Sequence, residues 1–290
     1  MIKTIFVPTS GSDADDRVFA AALALARPLG AHLRFFHLRL SACEAAVHSR
    51  HVEFCVGPAI NDALRQLEER DEGLSAMAAK HVHSFCAAND IPLRSGAGGS
   101  VAVSAQFLEE TDDAEVRFIS HSRHSDLIVL GRPRDEDLLP YNLIERLLLR
   151  SGRPIVIAAD STPAADPLDT ILVGWKDTPQ AARAVAAAMP LLKAADKVVI
   201  VHIAEADGAM SNGLDLLAEE LSWHGIAAQI RLIRNPLAHV PGVLKSVASE
   251  LNAGLLVVGG YSRGPWREAV FGGVTTTLID HAECPIFMMH

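Results

Sequence analysis

Asp126-Leu127-Ile128-Val129-Leu130-Gly131 and Gly254-Leu255-Leu256-Val257-Val258-Gly259 are two versions of one segment, 128 residues apart. Each is a short continuous apolar run without polar alternation, the pattern of a strand covered by helices on both faces of a parallel sheet. Working outward, Ala31-His32-Leu33-Arg34-Phe35-Phe36-His37-Leu38 is echoed by Asp196-Lys197-Val198-Val199-Ile200-Val201-His202-Ile203 at an offset of 165 residues. Thr4-Ile5-Phe6-Val7 is echoed by Thr170-Ile171-Leu172-Val173 at 166, each followed by a polar loop and an alanine-rich helical stretch. On the carboxyl side, Arg153-Pro154-Ile155-Val156-Ile157 returns as Cys284-Pro285-Ile286-Phe287-Met288 at 131. The same elements therefore occur twice in the same order.

The fall in offset from 166 to 128 leaves 38 extra residues in the first copy. A long amphipathic pattern (Ile60, Leu64, Leu67, Leu74, Met77, Phe85) places them as helix between Leu40 and Asn89. Small residues and prolines interrupt both periodicities in Asp160-Ser161-Thr162-Pro163-Ala164-Ala165-Asp166-Pro167. The expected division is a first module over 1–160, a linker over 161–168 and a second module over 169–290. Ala181 to Leu192 and Gly213 to Trp223 read as helices completing right-handed βαβ units, an α/β architecture. Ligands of such sheets bind beyond the carboxyl ends of the strands where the winding reverses, so the loops after the first and fourth strands of each copy are the places to search.

Composition narrows the function. With 290 residues, 49% of them hydrophobic, the chain can fill two cores. A net charge of −9 and only 5% aromatic residues disfavour nucleic acid as a partner. No apolar stretch approaches the length of a membrane span. Met1-Ile2-Lys3-Thr4-Ile5-Phe6-Val7-Pro8 is too short for a signal peptide and reads as a strand ending at its proline, so a cytoplasmic location is expected. Cys43, Cys55, Cys86 and Cys284 form no C-x-x-C pair and are expected as reduced thiols.

After the strand Leu255 to Val258 comes Gly259, two residues, Ser262, nine residues, Gly272 and Gly273. This resembles the universal stress protein family, whose ATP-binding members carry G-x2-G-x9-G-[ST] after a strand. The spacing matches, while Ser262 and Gly273 replace two of the four motif letters. The resemblance covers nearly the whole chain as two tandem modules. It implies a Rossmann-like fold of two tandem doubly wound parallel five-stranded sheets. It also implies that Pro154 to Ala158 meets Pro285 to Met289 to make an internal pseudo-dimer, with a homodimer as a further option.

Glycines in such a motif let the backbone approach a triphosphate, and the amides opening the next helix face its oxygens. By the resemblance, an adenine nucleotide, ATP held weakly, would use Gly259, Gly260, Ser262, Gly272, Gly273, Val274 and Thr275. Arg263 and Arg267 would add charge-assisted contacts. Trp175 and Lys176 would lie near the base and Ile203 at the pocket edge. A tight strand-to-helix connection that binds nothing is the alternative. The family places an acidic residue after its first strand, where this chain has Ser10 in one copy and Lys176 in the other. Trp175 suits either stacking on a base or filling the pocket. In the first copy, the loop after Gly131 (Arg132-Pro133-Arg134-Asp135-Glu136-Asp137) lacks a second glycine pair, so that module reads as degenerate and the acidic run as a solvated loop.

Other constellations carry less. His48-x2-His51, with Glu53 nearby, and His121-x2-His124 would each put two imidazoles on one helical face, but neither comes with a paired cysteine set or H-E-x-x-H, and no metal is expected beyond magnesium accompanying a nucleotide. His281-Ala282-Glu283-Cys284-Pro285 lacks the P-C-x-x-C partner of a zinc deaminase. P-loop and G-x-S-x-G signatures are absent. The leading expectation is a non-catalytic nucleotide-responsive or protein-interaction module of the stress response, its protein partner unspecified. Its rivals are a nucleotide-cleaving or adenylate-transferring enzyme, with Asp177 the nearest candidate base, and a purely structural partner-binding module with a filled pocket.

Overall fold

Ile5, Phe6 and Val7 are fully buried in the first strand, β1 (Thr4–Thr9), as a run with no polar alternation requires. The computed structural model describes residues 1–39, 58–96, 102–111, 114–132, 139–140, 142–160, 165–204, 212–234, 239–260, 277–279 and 283–290. They divide into two units, Met1–Arg153 and Pro154–His290.

In the first unit β1 is followed by α1 (Asp15–Leu29), β2 (His32–Arg39), α2 (Pro58–Ala88), β3 (Ser104–Thr111), α3 (Ala114–Arg123), β4 (Leu127–Leu130) and α4 (Leu143–Arg150). The strands lie in the order β3-β2-β1-β4, all parallel. The strand does not stop at Pro8, which sits inside β1 opposite Phe36. It lies beyond the residues paired with β4, Ile5 and Phe6, where a missing N–H is tolerated.

Two aromatic clusters cover the two faces. Phe19 of α1 meets Phe35 of β2 at 4.6 Å between ring centroids and Phe85 of α2 at 5.4 Å. On the opposite face, Phe36 packs against Phe6 and against Phe118 of α3. The first helix stops at Gly30, whose φ of 57° is the left-handed conformation that glycine adopts without penalty, and its N–H caps the carbonyls of Ala26 and Arg27.

The 31-residue α2 falls where the sequence repeat leaves its extra residues. Among its described side chains the buried apolar stripe is Ala78, Val82 and Cys86, while Met77 is exposed; the side chains of Ile60, Leu64 and Leu67 lie outside the description.

In the second unit the elements are β5 (Ile155–Ile157), β6 (Thr170–Gly174), α5 (Pro179–Leu192), β7 (Lys197–Ala204), α6 (Asn212–Trp223), β8 (Ala228–Arg234), α7 (Val240–Glu250), β9 (Leu255–Gly259) and β10 (Ile286–Met289). The order is β5-β10-β9-β6-β7-β8. All neighbours are parallel except β5 and β10, which pair antiparallel with Ile286 opposite Ile157 and Met288 opposite Ile155. The winding from β6 goes one way to β7 and β8 and the other way to β9 and β10, as it does from β1 to β2 and β3 or to β4. Each unit is thus doubly wound, with its switch point between β1 and β4 or between β6 and β9.

No helix among the described residues is long and apolar enough to cross a membrane. Cys86 and Cys284 are buried free thiols, and burial pushes each up to about 11. Cys43, Cys55, His48, His51, Glu53, Asp135 to Asp137, the linker residues Ser161 to Ala164 and His281 lie outside the described residues.

Candidate functional site

The switch point of the second unit is built from two strand ends packed closely together. A Cβ on Gly174, at the end of β6, would stand 3.0 Å from Val258 Cγ1 and 3.3 Å from Leu244 Cδ2. On Gly259, at the end of β9, it would stand 2.6 Å from the main-chain nitrogen of Ala181, in the first turn of α5. Glycine at 259 therefore brings the start of α5 against the carboxyl end of β9. That start is itself well defined: Thr178 is the N-cap, its hydroxyl accepts the Ala181 N–H, and Pro179 follows in the first turn.

The chain beyond β6 is pinned to β7. The N–H of Trp175 donates to the Val201 carbonyl at 2.8 Å. The carbonyl of Trp175 accepts from His202 Nδ1 at 3.0 Å, and since a carbonyl only accepts, Nδ1 carries the ring proton. Trp175 itself is half-buried, and its indole Nε1 is enclosed with no hydrogen-bond partner among the described residues. Lys176 and Asp177, the next two residues, are exposed. The Asp177 carboxylate stands beside the first turn of α6, with Oδ2 3.5 Å from where a Cβ on Gly213 would lie, a favourable place for negative charge.

Beyond β9, the N–H of Gly260 donates to the Met289 carbonyl at 2.8 Å, and the Gly260 carbonyl lies 3.2 Å from His290 Nδ1. The Gly260 amide is thus already taken by β10. Of the residues singled out from sequence, Trp175, Ile203, Gly259 and Gly260 stand along the carboxyl edge of β6, β7 and β9, with Lys176 at the rim. Ser262, Gly272, Gly273, Val274 and Thr275, with Arg263 and Arg267, lie outside the described residues. His202, Thr178 and Ala181 belong to the site as well. His202 had a sequence signal, because it repeats His37; Thr178 and Ala181 had none, because their part is set by how α5 meets β9.

The same edge of the first unit is closed by its own chain. His37 Nδ1 donates to the Thr9 carbonyl at 3.0 Å, the counterpart of the His202–Trp175 bond. The buried carboxylate of Asp15 then accepts from the amides of Ser10 and Gly11 at 2.9 and 2.8 Å and from the Ser10 hydroxyl. The long α2 lies on this loop: Gly11 has φ 81°, and a Cβ there would be 2.1 Å from the Leu74 carbonyl oxygen. Arg39 at the end of β2 pairs with the buried Asp71 at 3.3 Å, and the Ser75 hydroxyl donates to Glu109 of β3 at 2.6 Å. A helix crosses the ends of all three strands, and an internal carboxylate takes the loop amides an anion would use.

The two α3 histidines serve this framework. His121 lies over Phe36 with ring centroids 4.4 Å apart, and its Nε2 is 3.1 Å from Glu110. His124 Nδ1 bonds the Ser120 carbonyl of its own helix. Among the described residues no group of three or more His, Cys, Asp or Glu side chains is arranged to hold a metal ion.

Comparison with known proteins agrees with this geometry. The family model described as "Universal stress protein family" matches residues 167–290. A universal stress protein from Archaeoglobus fulgidus DSM 4304 superimposes with a TM-score of 0.68 at 17% identity, over 99% of this chain and 97% of its own. A putative universal stress protein from Pseudomonas aeruginosa UCBPP-PA14 superimposes with a TM-score of 0.54 at 15% identity, over 99% of this chain and 93% of its own. No curated protein sequence matches the chain. Residues 167–290 are a universal stress protein domain, in a chain whose α/β fold is that of universal stress proteins.

Proposed function

We propose that the second unit binds an adenine nucleotide at the carboxyl ends of β6 and β9, and that the protein acts in the cytoplasmic stress response by binding rather than by turnover. The observation that carries this reading is the approach at Gly259, where absence of a side chain brings the start of α5 against the end of β9 at the switch point, the place where doubly wound sheets bind their ligands. The motif continuing from Gly259 through Ser262, Gly272, Gly273, Val274 and Thr275 would hold the phosphates, and magnesium would accompany them. Lys176 at the rim suits an anion. The closed edge of the first unit supports one site per chain.

Relative to the family pattern, Lys176 removes a carboxylate and Gly273 a hydroxyl. Two lost hydrogen bonds weaken ATP binding by about 1–3 kcal/mol, or about 5- to 150-fold. Calorimetric titration of wild type and the Lys176→Asp/Gly273→Ser variant, in the same salt, tests this. One weak site in the wild type and a tighter one in the variant are expected. Two equivalent sites, or a wild type that binds as tightly as the variant, would overturn the reading. Phosphate release from ATP with magnesium, abolished by Asp177→Ala, would replace it with an enzymatic one.

A further inference from the structure

β8 stands last in the strand order of the second unit, and among the described residues no strand pairs with its outer side. Such an edge offers the main-chain N–H and C=O groups of alternate residues to another strand, and folded chains protect it with proline, bulges, exposed charge or a covering segment. The outer strand of the first unit, β3, has a cover: the Arg94 N–H donates to the Ala105 carbonyl at 2.8 Å and the Ala105 N–H to the Pro92 carbonyl at 3.0 Å. β8 holds no proline and runs without a bulge from Ala228 opposite Val198 to Arg234 opposite Ala204. One of its faces presents two large apolar side chains, Ile230 at 42% and Leu232 at 39% exposed. On the other face Arg231, the central charge, is neutralised by a bidentate pair with Glu250 of α7 at 2.8 and 3.0 Å.

We infer that β8 is a dimer interface, pairing antiparallel with β8 of a second copy of this chain about a two-fold axis at Arg231. In that register Ile230 opposes Leu232 of the second copy and Leu232 opposes its Ile230, so the exposed apolar side chains cover one another on one face. The two Arg231 side chains meet at the axis on the other face, where bare like charges would repel. Because each carries its own Glu250, guanidinium and carboxylate groups alternate across the axis instead. Moving the axis to Leu232 would set Ile230 opposite Arg234 and Arg231 opposite Ile233, matching neither the apolar nor the charged groups. An unrelated extended peptide would use the same main-chain groups, but the sequence of β8 itself supplies both matches, as an isologous contact requires. This contact is independent of any nucleotide.

Sedimentation equilibrium of the full chain over a concentration series should give a mass rising from 31.0 kDa towards twice that value. Ile230→Lys puts a charge into the apolar pairs from both copies and should weaken the dimer at least about 10-fold. Its circular dichroism and urea midpoint should stay close to wild type, because Ile230 is exposed in the single chain. Glu250→Lys should weaken the dimer as well, and Arg231→Glu/Glu250→Lys, which exchanges the two charges, should restore it. For the register, Ile230→Cys mixed with Leu232→Cys should form a disulfide-linked dimer under mild oxidation faster than either variant alone, above the wild-type background.

A mass of 31.0 kDa at every concentration would overturn the interface, and β8 amides protected from hydrogen exchange in that monomer would show the edge to be covered by the chain itself. A dimer indifferent to both Ile230→Lys and Glu250→Lys would lie on another surface. A mass growing past two copies would exclude a closed two-fold contact. Cross-linking of Ile230→Cys alone as fast as the mixture would refute the axis at Arg231.

Discussion

Gly259→Ala adds one methyl group at the most crowded point of the second unit's switch point. Its Cβ would stand 2.6 Å from Ala181 N, 2.8 Å from Gln180 C and 3.0 Å from Ala181 Cα. All three are main-chain atoms in the first turn of α5, so no side chain can rotate away. Carbon contacts are comfortable at about 3.5–4.0 Å, and the end of β9 or the start of α5 must therefore move by about 1 Å. Overpacking of this kind costs about 1–3 kcal/mol. At about 4 °C per kcal/mol for a unit of this size, Tm should fall by about 4–12 °C. The three tryptophans, Trp175, Trp223 and Trp266, all lie in the second unit, so intrinsic tryptophan fluorescence during urea or thermal unfolding isolates it. ATP affinity should fall as well, because the displaced helix start borders the proposed site. A fluorescence-monitored midpoint within about 1 °C of wild type, with ATP binding unchanged, would refute the idea that close approach at Gly259 builds the site.

The same substitution at Gly73 should act in the opposite direction: a Cβ there meets nothing within 4 Å, so Gly73→Ala should stabilise α2 by about 0.5–1 kcal/mol, measured as a higher urea midpoint by circular dichroism. Ile286→Pro should lower the tryptophan-monitored midpoint markedly, since β10 is paired on both sides, with Ile286 opposite Ile157 and Leu256, and proline removes a ladder donor there; an unchanged midpoint would contradict that placement. His32 is held below its ordinary value of 6.5 by burial and by the nearby Arg34 and Arg94. The unfolded chain therefore takes up this proton first, and the contribution to stability is intact above about pH 6.5 and lost as the pH falls below it. His32→Gln should accordingly lose less stability than wild type between pH 7.5 and 5.5, read from urea midpoints by circular dichroism.

The strands were legible in the sequence because burial on both faces of a parallel sheet leaves no room for polar alternation. Leu127 to Leu130 and Leu255 to Gly259 are β4 and β9, and the matching offsets expose the repetition without any coordinates. The extra helix was legible too, since apolar residues recurring at helical spacing from Ile60 to Phe85 suit neither a strand nor a loop. Its buried stripe was misread at Met77, which is exposed while the neighbouring Ala78 and Val82 are buried, because alanine gives a weaker hydrophobic signal than methionine. In the second unit's site, the resemblance to universal stress proteins, carried by the spacing after Gly259, implied Trp175, Lys176, Ile203, Gly259 and Gly260.

Only the tertiary structure decided what those residues do to one another. The Gly259 contact with Ala181, the commitment of the Gly260 amide to Met289 and the hold of His202 on Trp175 join residues 27 to 78 positions apart. The closure of the first unit's edge combines a local part, Asp15 reaching back to Ser10 and Gly11, with a distant one, Leu74 arriving on Gly11 from the middle of α2. A local pattern reports whether a side chain is wanted in a core, because that depends on its own polarity and period. Which main-chain groups remain for a ligand depends on which distant segments have already taken them, and that is settled only when the strands pair and the helices pack.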